Sequence, residues 1–78
     1  MKLKIISAEQ VEFDGEVSQV TLPGELGSFQ VLRGHAAMIA ALQPGTATYT
    51  PVDGATVSRD IAGGVADVKN DVVSVCLF

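Results

Sequence analysis

Seventy-eight residues, 47% of them hydrophobic and 18% charged, suffice for one small domain with a buried core and leave no room for a second. That balance excludes a disordered chain, and nine acidic against five basic residues, a formal charge of -4, exclude a surface built to neutralise nucleic-acid phosphates. The one cysteine, Cys76, excludes an internal disulfide, so stability must come from packing or from partners, as suits a reducing compartment.

The N-terminus, Met1-Lys2-Leu3-Lys4-Ile5-Ile6, has a positive start, but its apolar stretch ends at Ser7-Ala8-Glu9, too short for the core of a secretion signal. No stretch approaches the roughly 20 apolar residues of a membrane-spanning helix. A soluble, unprocessed chain is expected, free to dock on a membrane complex. Apolar runs of strand length then alternate with turn signals, the pattern of an all-β sandwich or barrel. Leu3, Ile5 and Ser7 share one strand face, and Val11 and Phe13 another before Asp14-Gly15, which reads as a turn. From Glu16 to Leu22, period two puts Val20 and Leu22 on one face and Val17, Gln19 and Thr21 on the other.

Leu22-Pro23-Gly24-Glu25-Leu26-Gly27-Ser28-Phe29 reads as a glycine-broken turn, because Gly and Pro hold backbone angles that other residues avoid. Phe29 to Leu32 alternates as a short strand stopped by Arg33-Gly34. His35 to Leu42 is rich in helix formers, yet eight residues between Gly34 and Pro44-Gly45 are too few for a stable helix, and Met38, Ala40 and Leu42 alternate, so a strand is expected. Thr46 to Thr50 is β-branched and aromatic, and Asp53-Gly54 after Pro51-Val52 predicts a tight hairpin with left-handed angles. Thr56 to Ile61, Val65 to Lys69 and Val72 to Phe78 complete the set, divided by Gly63-Gly64 and Asn70-Asp71. The last run is apolar on both faces apart from Ser74, as a strand between two layers would be, which makes Cys76 a core thiol.

Catalytic chemistry is thin. His35 is the only histidine, with no Cys or carboxylate at ligand spacing around it, so a metal site or histidine-paired nucleophile has nothing to build on. Glu9, Glu12, Asp14 and Glu16 read as a solvated face. Gly63-Gly64 lacks the third glycine of a dinucleotide loop and no Walker lysine follows any glycine, leaving close backbone approach or a bulge as its role. No catalytic residue, metal or cofactor is expected. The candidate contact surface is the segment from Glu25 to Ala36, where Gly27 and Gly34 admit close approach and Glu25, Arg33 and His35 offer ionic contacts.

Taken together, Ile6-Ser7-Ala8-Glu9-Gln10, Phe13-Asp14-Gly15-Glu16-Val17, Thr21-Leu22-Pro23-Gly24-Glu25, Gly34-His35-Ala36, Leu42-Gln43-Pro44-Gly45 and Gly63-Gly64-Val65 resemble, in order and spacing, the N-terminal domain of the F-type ATP synthase epsilon subunit. The resemblance covers nearly the whole chain. It implies a flattened sandwich of two five-stranded sheets, a single domain over residues 1–78, and a non-catalytic place on the rotor. The implied partners are the gamma subunit and the polar loops of the membrane c-ring, with the membrane touched only through the complex, on the cytoplasmic side of a bacterial plasma membrane. The c-ring contacts carried over are Glu25, Gly27, Ser28, Gly34, His35 and Ala36. Three departures from the family pattern are present: Gln30 replaces a common glycine, and Arg33 and Ala37 stand where prolines are usual, a loss of prolines that loosens the preset angles of the loop. Family members often continue into a C-terminal helical hairpin that can restrain hydrolysis, and a form ending at Phe78 is expected to couple rotor parts without that restraint. Two other classes remain open: a lipoyl- or biotinyl-type carrier, needing an exposed hairpin lysine for which Lys69-Asn70-Asp71 is a poor match, and a small enzyme or ligand barrel with a pocket at His35.

Overall fold

A computed structural model describes all 78 residues, with no helix and eight strands: β1 (Lys2–Ile6), β2 (Val11–Gly24), β3 (Gly27–Leu32), β4 (Met38–Leu42), β5 (Gly45–Pro51), β6 (Val57–Ile61), β7 (Gly64–Lys69) and β8 (Val72–Leu77). The strands hydrogen-bond in the order β1-β8-β7-β4-β2-β5-β6, with β3 on β2 and β1 also on β2. The 14-residue β2 is the spine. Its first half pairs β1, which runs parallel to β8 and so into β7 and β4; its second half pairs β3 and β5, and β5 pairs β6.

Two layers result, sharing one strand. Leu3, Ile5, Ala66, Val68, Val73 and Val75 of the first face Val17, Val20, Leu22, Val31, Ala47, Tyr49 and Ile61 of the second in a single buried cluster that Leu42 joins. The domain measures 27 × 25 × 18 Å, and its thin dimension suits two sheets packed about 10 Å apart. The all-β sandwich is therefore present, but the ten strands of two separate five-stranded sheets are here eight in one continuous ladder, because β2 is long enough to serve both layers.

Four local expectations are corrected by pairing. Asp14-Gly15 is not a turn: Asp14 pairs Lys4 and Gly15 pairs Leu3, so the strand runs straight through. The glycine serves packing instead, since a Cβ there would stand 3.1 Å from the Phe13 ring, which packs tilted at 45° against Tyr49 with centroids 4.5 Å apart. Val17, assigned with Gln19 and Thr21, is buried with Val20 and Leu22, because the register against β5 slips between Val17 and Gln19 and inverts the alternation. Cys76 is exposed rather than in the core: Val73 and Val75 point inward, so Val72 and Cys76 point out, and β8 lies between β1 and β7 within a sheet, not between layers. The turn at Pro51–Gly54 exists, Gly54 N–H donating to the Pro51 carbonyl at 3.2 Å, but the left-handed pair of residues sits at Asn70 (φ 52°) and Asp71 (φ 59°), joining β7 to β8.

The acidic run is not wholly solvated either. Glu12 accepts hydrogen bonds from Ser7 Oγ (3.0 Å) and Gln10 Nε2 (3.3 Å) and pairs with Arg59 Nη2 of β6 at 2.8 Å, clamping the edge strand to the spine. The Ser7 and Gln10 donors, with the guanidinium, hold its carboxyl below the ordinary carboxylate range. A depressed carboxyl contributes stability above its unfolded value near 4.5 and loses it as pH falls through the lower folded value. Urea midpoints recorded from pH 7 to pH 3 are accordingly expected to drop below about pH 4.5, and Glu12→Gln to flatten that acid limb while lowering the neutral midpoint.

Candidate functional site

The six candidate contacts divide between the two ends of β3. Glu25 and Leu26 form the two-residue turn joining β2 to β3, with Gly24 paired to Gly27; Pro23 and Gly24 lie inside the strand, not in the turn. The backbone reversal is absorbed at Gly27 (φ 127°), where a side chain would be strained although the space around it is empty. Gly24 is held by contact instead, since a Cβ there would stand 2.7 Å from the Gly27 carbonyl oxygen and 2.9 Å from the Phe29 ring. Glu25 N–H donates to the Ala41 carbonyl and Gln43 N–H to the Pro23 carbonyl, both at 2.9 Å, so β4 fixes the base of the hairpin. Its tip is bare: Glu25, Gly27 and Ser28 are exposed and Leu26 is fully so.

Gly34, His35 and Ala36 occupy the loop after β3. His35 N–H donates to the Leu32 carbonyl at 3.1 Å, and Gly34 N–H donates to Asp71 Oδ1 at 2.7 Å, pinning the loop to the β7–β8 turn. Gly34 (φ 82°) supplies the left-handed step. The Asp71 anchor, 37 positions away, has no signature in the sequence, and it holds a loop that the missing prolines leave free. His35 Nδ1 lies 2.7 Å from the Ala36 carbonyl and is half-buried, a ring fastened to its own backbone. Five residue steps of extended chain, about 17 Å, separate this loop from the hairpin tip.

The two groups present exposed backbone, the Glu25 carboxylate and the Leu26 side chain at the surface. Of the two concavities, neither is lined by His35, so the pocket expected of an enzyme or ligand barrel is not there. No three His, Cys, Asp or Glu side chains converge as metal ligands. Lys69 pairs with Val72 in the last rung of the β7–β8 ladder, beside the turn and not on it, unlike a carrier lysine. The larger concavity, about 560 Å³, is an open groove between the hairpin and β4, lined by Gly24 to Phe29 and Met38 to Ala41. Sequence reading passed over β4 as a surface, although Ile39 is 75% exposed; the signal was an apolar residue at the solvent phase of the alternation.

Comparison with known proteins gives consistent findings. The family model for the ATP synthase Delta/Epsilon chain β-sandwich domain matches residues 1–77. The chain is 37% identical over 75 residues to the ATP synthase epsilon chain of Bordetella petrii, covering 96% of this chain and 53% of that one. To the epsilon chain of Rhodopseudomonas palustris strain BisB5 it is 44% identical over 71 residues, covering 91% and 52%. It thus spans about half the length of the curated relatives it matches. Among solved structures, a chain of the Euglena gracilis mitochondrial ATP synthase, in an assembly of OSCP, F1 and c-ring, superposes with TM-score 0.88 at 26% identity over 96% of this chain and 48% of that one. A chain of the Tetrahymena thermophila ATP synthase central stalk and c-ring superposes at 0.83 with 18% identity, over 100% and 63%, a likeness of fold alone.

Proposed function

Because the chain belongs to the family of ATP synthase delta and epsilon chains, as their β-sandwich domain, we propose that it works as a non-catalytic coupler in the central stalk, bridging the gamma subunit to the membrane c-ring so that ring rotation turns the shaft. The observation that carries this reading is the match over residues 1–77 joined to a close superposition on a chain from an ATP synthase assembly that includes the c-ring. The domain suits the task mechanically. One continuous ladder around one buried cluster leaves no hinge between layers, so a push at one face is delivered at the other.

On this reading the chain sits peripherally at the cytoplasmic side of a bacterial plasma membrane, reaching the bilayer only through the ring; no helix of its own is long and apolar enough to cross. Glu25, Gly27 and Ser28 meet the ring at one end of β3, and Gly34, His35 and Ala36 at the other. A partner touching both ends must be broad, since about 17 Å of strand lies between them. A ring of repeated polar loops has that breadth where one loop does not.

Co-purification with the gamma subunit and ring, with Glu25→Lys and His35→Ala introduced singly and together, tests the assignment. Each is expected to weaken ring attachment, Glu25→Lys with the steeper salt dependence of a charge at a contact rim. The pair is expected to be additive within about 0.5 kcal/mol, because the positions lie farther apart than neighbouring side chains couple. Ring attachment and coupled synthesis unchanged in the double variant would remove the six residues from the interface and leave the fold as it is.

A further inference from the structure

Apart from the acidic first half of β2, three strands leave one backbone edge without a neighbour: β6, β3, and β4 beyond its single contact with β2 at Leu42. Such an edge pairs with other chains unless charge, proline or irregularity blunts it. β6 carries Arg59 and Asp60, and β3 carries Ser28 and Gln30 at the positions whose backbone faces outward. β4 reads Met38-Ile39-Ala40-Ala41-Leu42, with no charge and no proline.

The hydrogen bonds settle which β4 groups are free. Ala41 offers its carbonyl to Glu25 and Gln43 its N–H to Pro23, so these residues turn their backbone away from β7. By the alternation of an antiparallel ladder, Met38, Ala40 and Leu42 face β7, and the N–H of Ala41 with both backbone groups of Ile39 point toward the groove. Around them stand the side chains of Leu26, Phe29, Met38 and Ile39, and one charge, Glu25, which enters no ion pair within the chain.

We propose that this edge receives an extended segment of a partner polypeptide as an added strand, with alternate apolar side chains in the groove and a basic side chain at Glu25. Backbone is the group that satisfies Ile39 and Ala41 together, and apolar side chains are what the lining buries. The charge selects the occupant: Glu25 is unpaired on a chain of net charge -4, so a basic segment is attracted, whereas a second copy would bring a like carboxylate and a like net charge. The groove shares Glu25, Gly27 and Ser28 with the ring contact proposed above, but the readouts at Ile39 and Ala41 need no ring.

The test uses the 78-residue chain with the capped peptide Lys-Val-Thr-Val-Thr-Val-Lys as probe, and two versions of it N-methylated at alternate residues so that each has one backbone edge blocked. At saturation, amide hydrogen exchange at Ile39 and Ala41 is expected to slow about tenfold, one methylated version to bind as the parent does, and the other to fail. Glu25→Lys is expected to weaken the parent peptide about threefold and to favour a version with Glu at both ends. Ile39→Pro removes an N–H that no ladder bond uses, and is expected to keep a cooperative melt while losing the peptide. Unchanged exchange at both amides, equal binding of both methylated peptides, or slowing that follows chain concentration without peptide, the mark of a second copy, would each overturn the proposal.

Discussion

Replacing Gly64 by alanine is expected to cost about 3 kcal/mol or more and to lower the urea midpoint by about 2 M. Gly64 is buried at the start of β7, paired with Leu42 on one side and Leu77 on the other. An added Cβ would fall far inside the van der Waals contact distance to the Cys76 carbonyl oxygen, and 3.2 Å from the Leu77 Cα. All of these are backbone atoms of β8, itself held by β1 through the Ile6–Cys76 pairing, so no side chain can swing aside and the sheet must part. For a chain of this length, whose whole stability is of the order of 4 to 12 kcal/mol, that is a large fraction. Gly27→Ala supplies the contrast. Nothing lies within 4 Å of its Cβ position, and only the strained backbone at φ 127° opposes it, so a loss of about 1 kcal/mol is expected. Equal urea midpoints for the two variants would show that β8 yields where the ladder says it cannot.

The close approach at Gly63-Gly64 was legible because paired glycines before an apolar run have few other uses. The alternating elements were legible too: β7 is buried at every second residue, and β4 is a strand although its residues favour helix, since five residues paired to β7 outweigh a propensity worth tenths of a kcal/mol each. What could not be read was register. The slip between Val17 and Gln19, the run through Asp14-Gly15 and the outward Cys76 depend on which residue of a distant strand lies opposite, and period two survives a slip of one only with its faces exchanged.

Composition singled out the residues proposed as contacts, but it does not give their arrangement. Gly27, Gly34 and Glu25 announce a place where backbone and charge are presented, but one continuous segment suggested one patch. The chain instead runs along β3 (Gly27–Leu32) from one to the other, so Glu25 to Ser28 and Gly34 to Ala36 lie at opposite ends of that strand. Asp71, which anchors the second group, and β4, which anchors the first, come from elsewhere in the chain. Because β3 is paired to β2 along its length, the distance between the two groups is fixed by that pairing and, through Leu22 and Val31, by the core.

Under the proposed coupling role, Leu22→Ala is expected to injure both stability and attachment, and the assembly should repair the second more than the first. Leu22 is wholly buried, opposite Phe29 on β3 and two residues before the point where β2 meets β4. Truncating such a leucine costs about 2 to 5 kcal/mol through lost burial and the cavity left behind, which for this size lowers the melting temperature by about 10 °C or more. A partner that binds only the folded chain returns about 2.7 kcal/mol when present at a hundred times its dissociation constant. The isolated variant is then expected to melt early and to bind weakly at low partner concentration, yet to reach wild-type coupling once excess gamma and ring hold it folded. Coupling that stays low at saturating partner, with the variant bound, would place the loss in stiffness itself: the cavity would let the two ends of β3 move independently, and bound chain would slip where the native domain transmits.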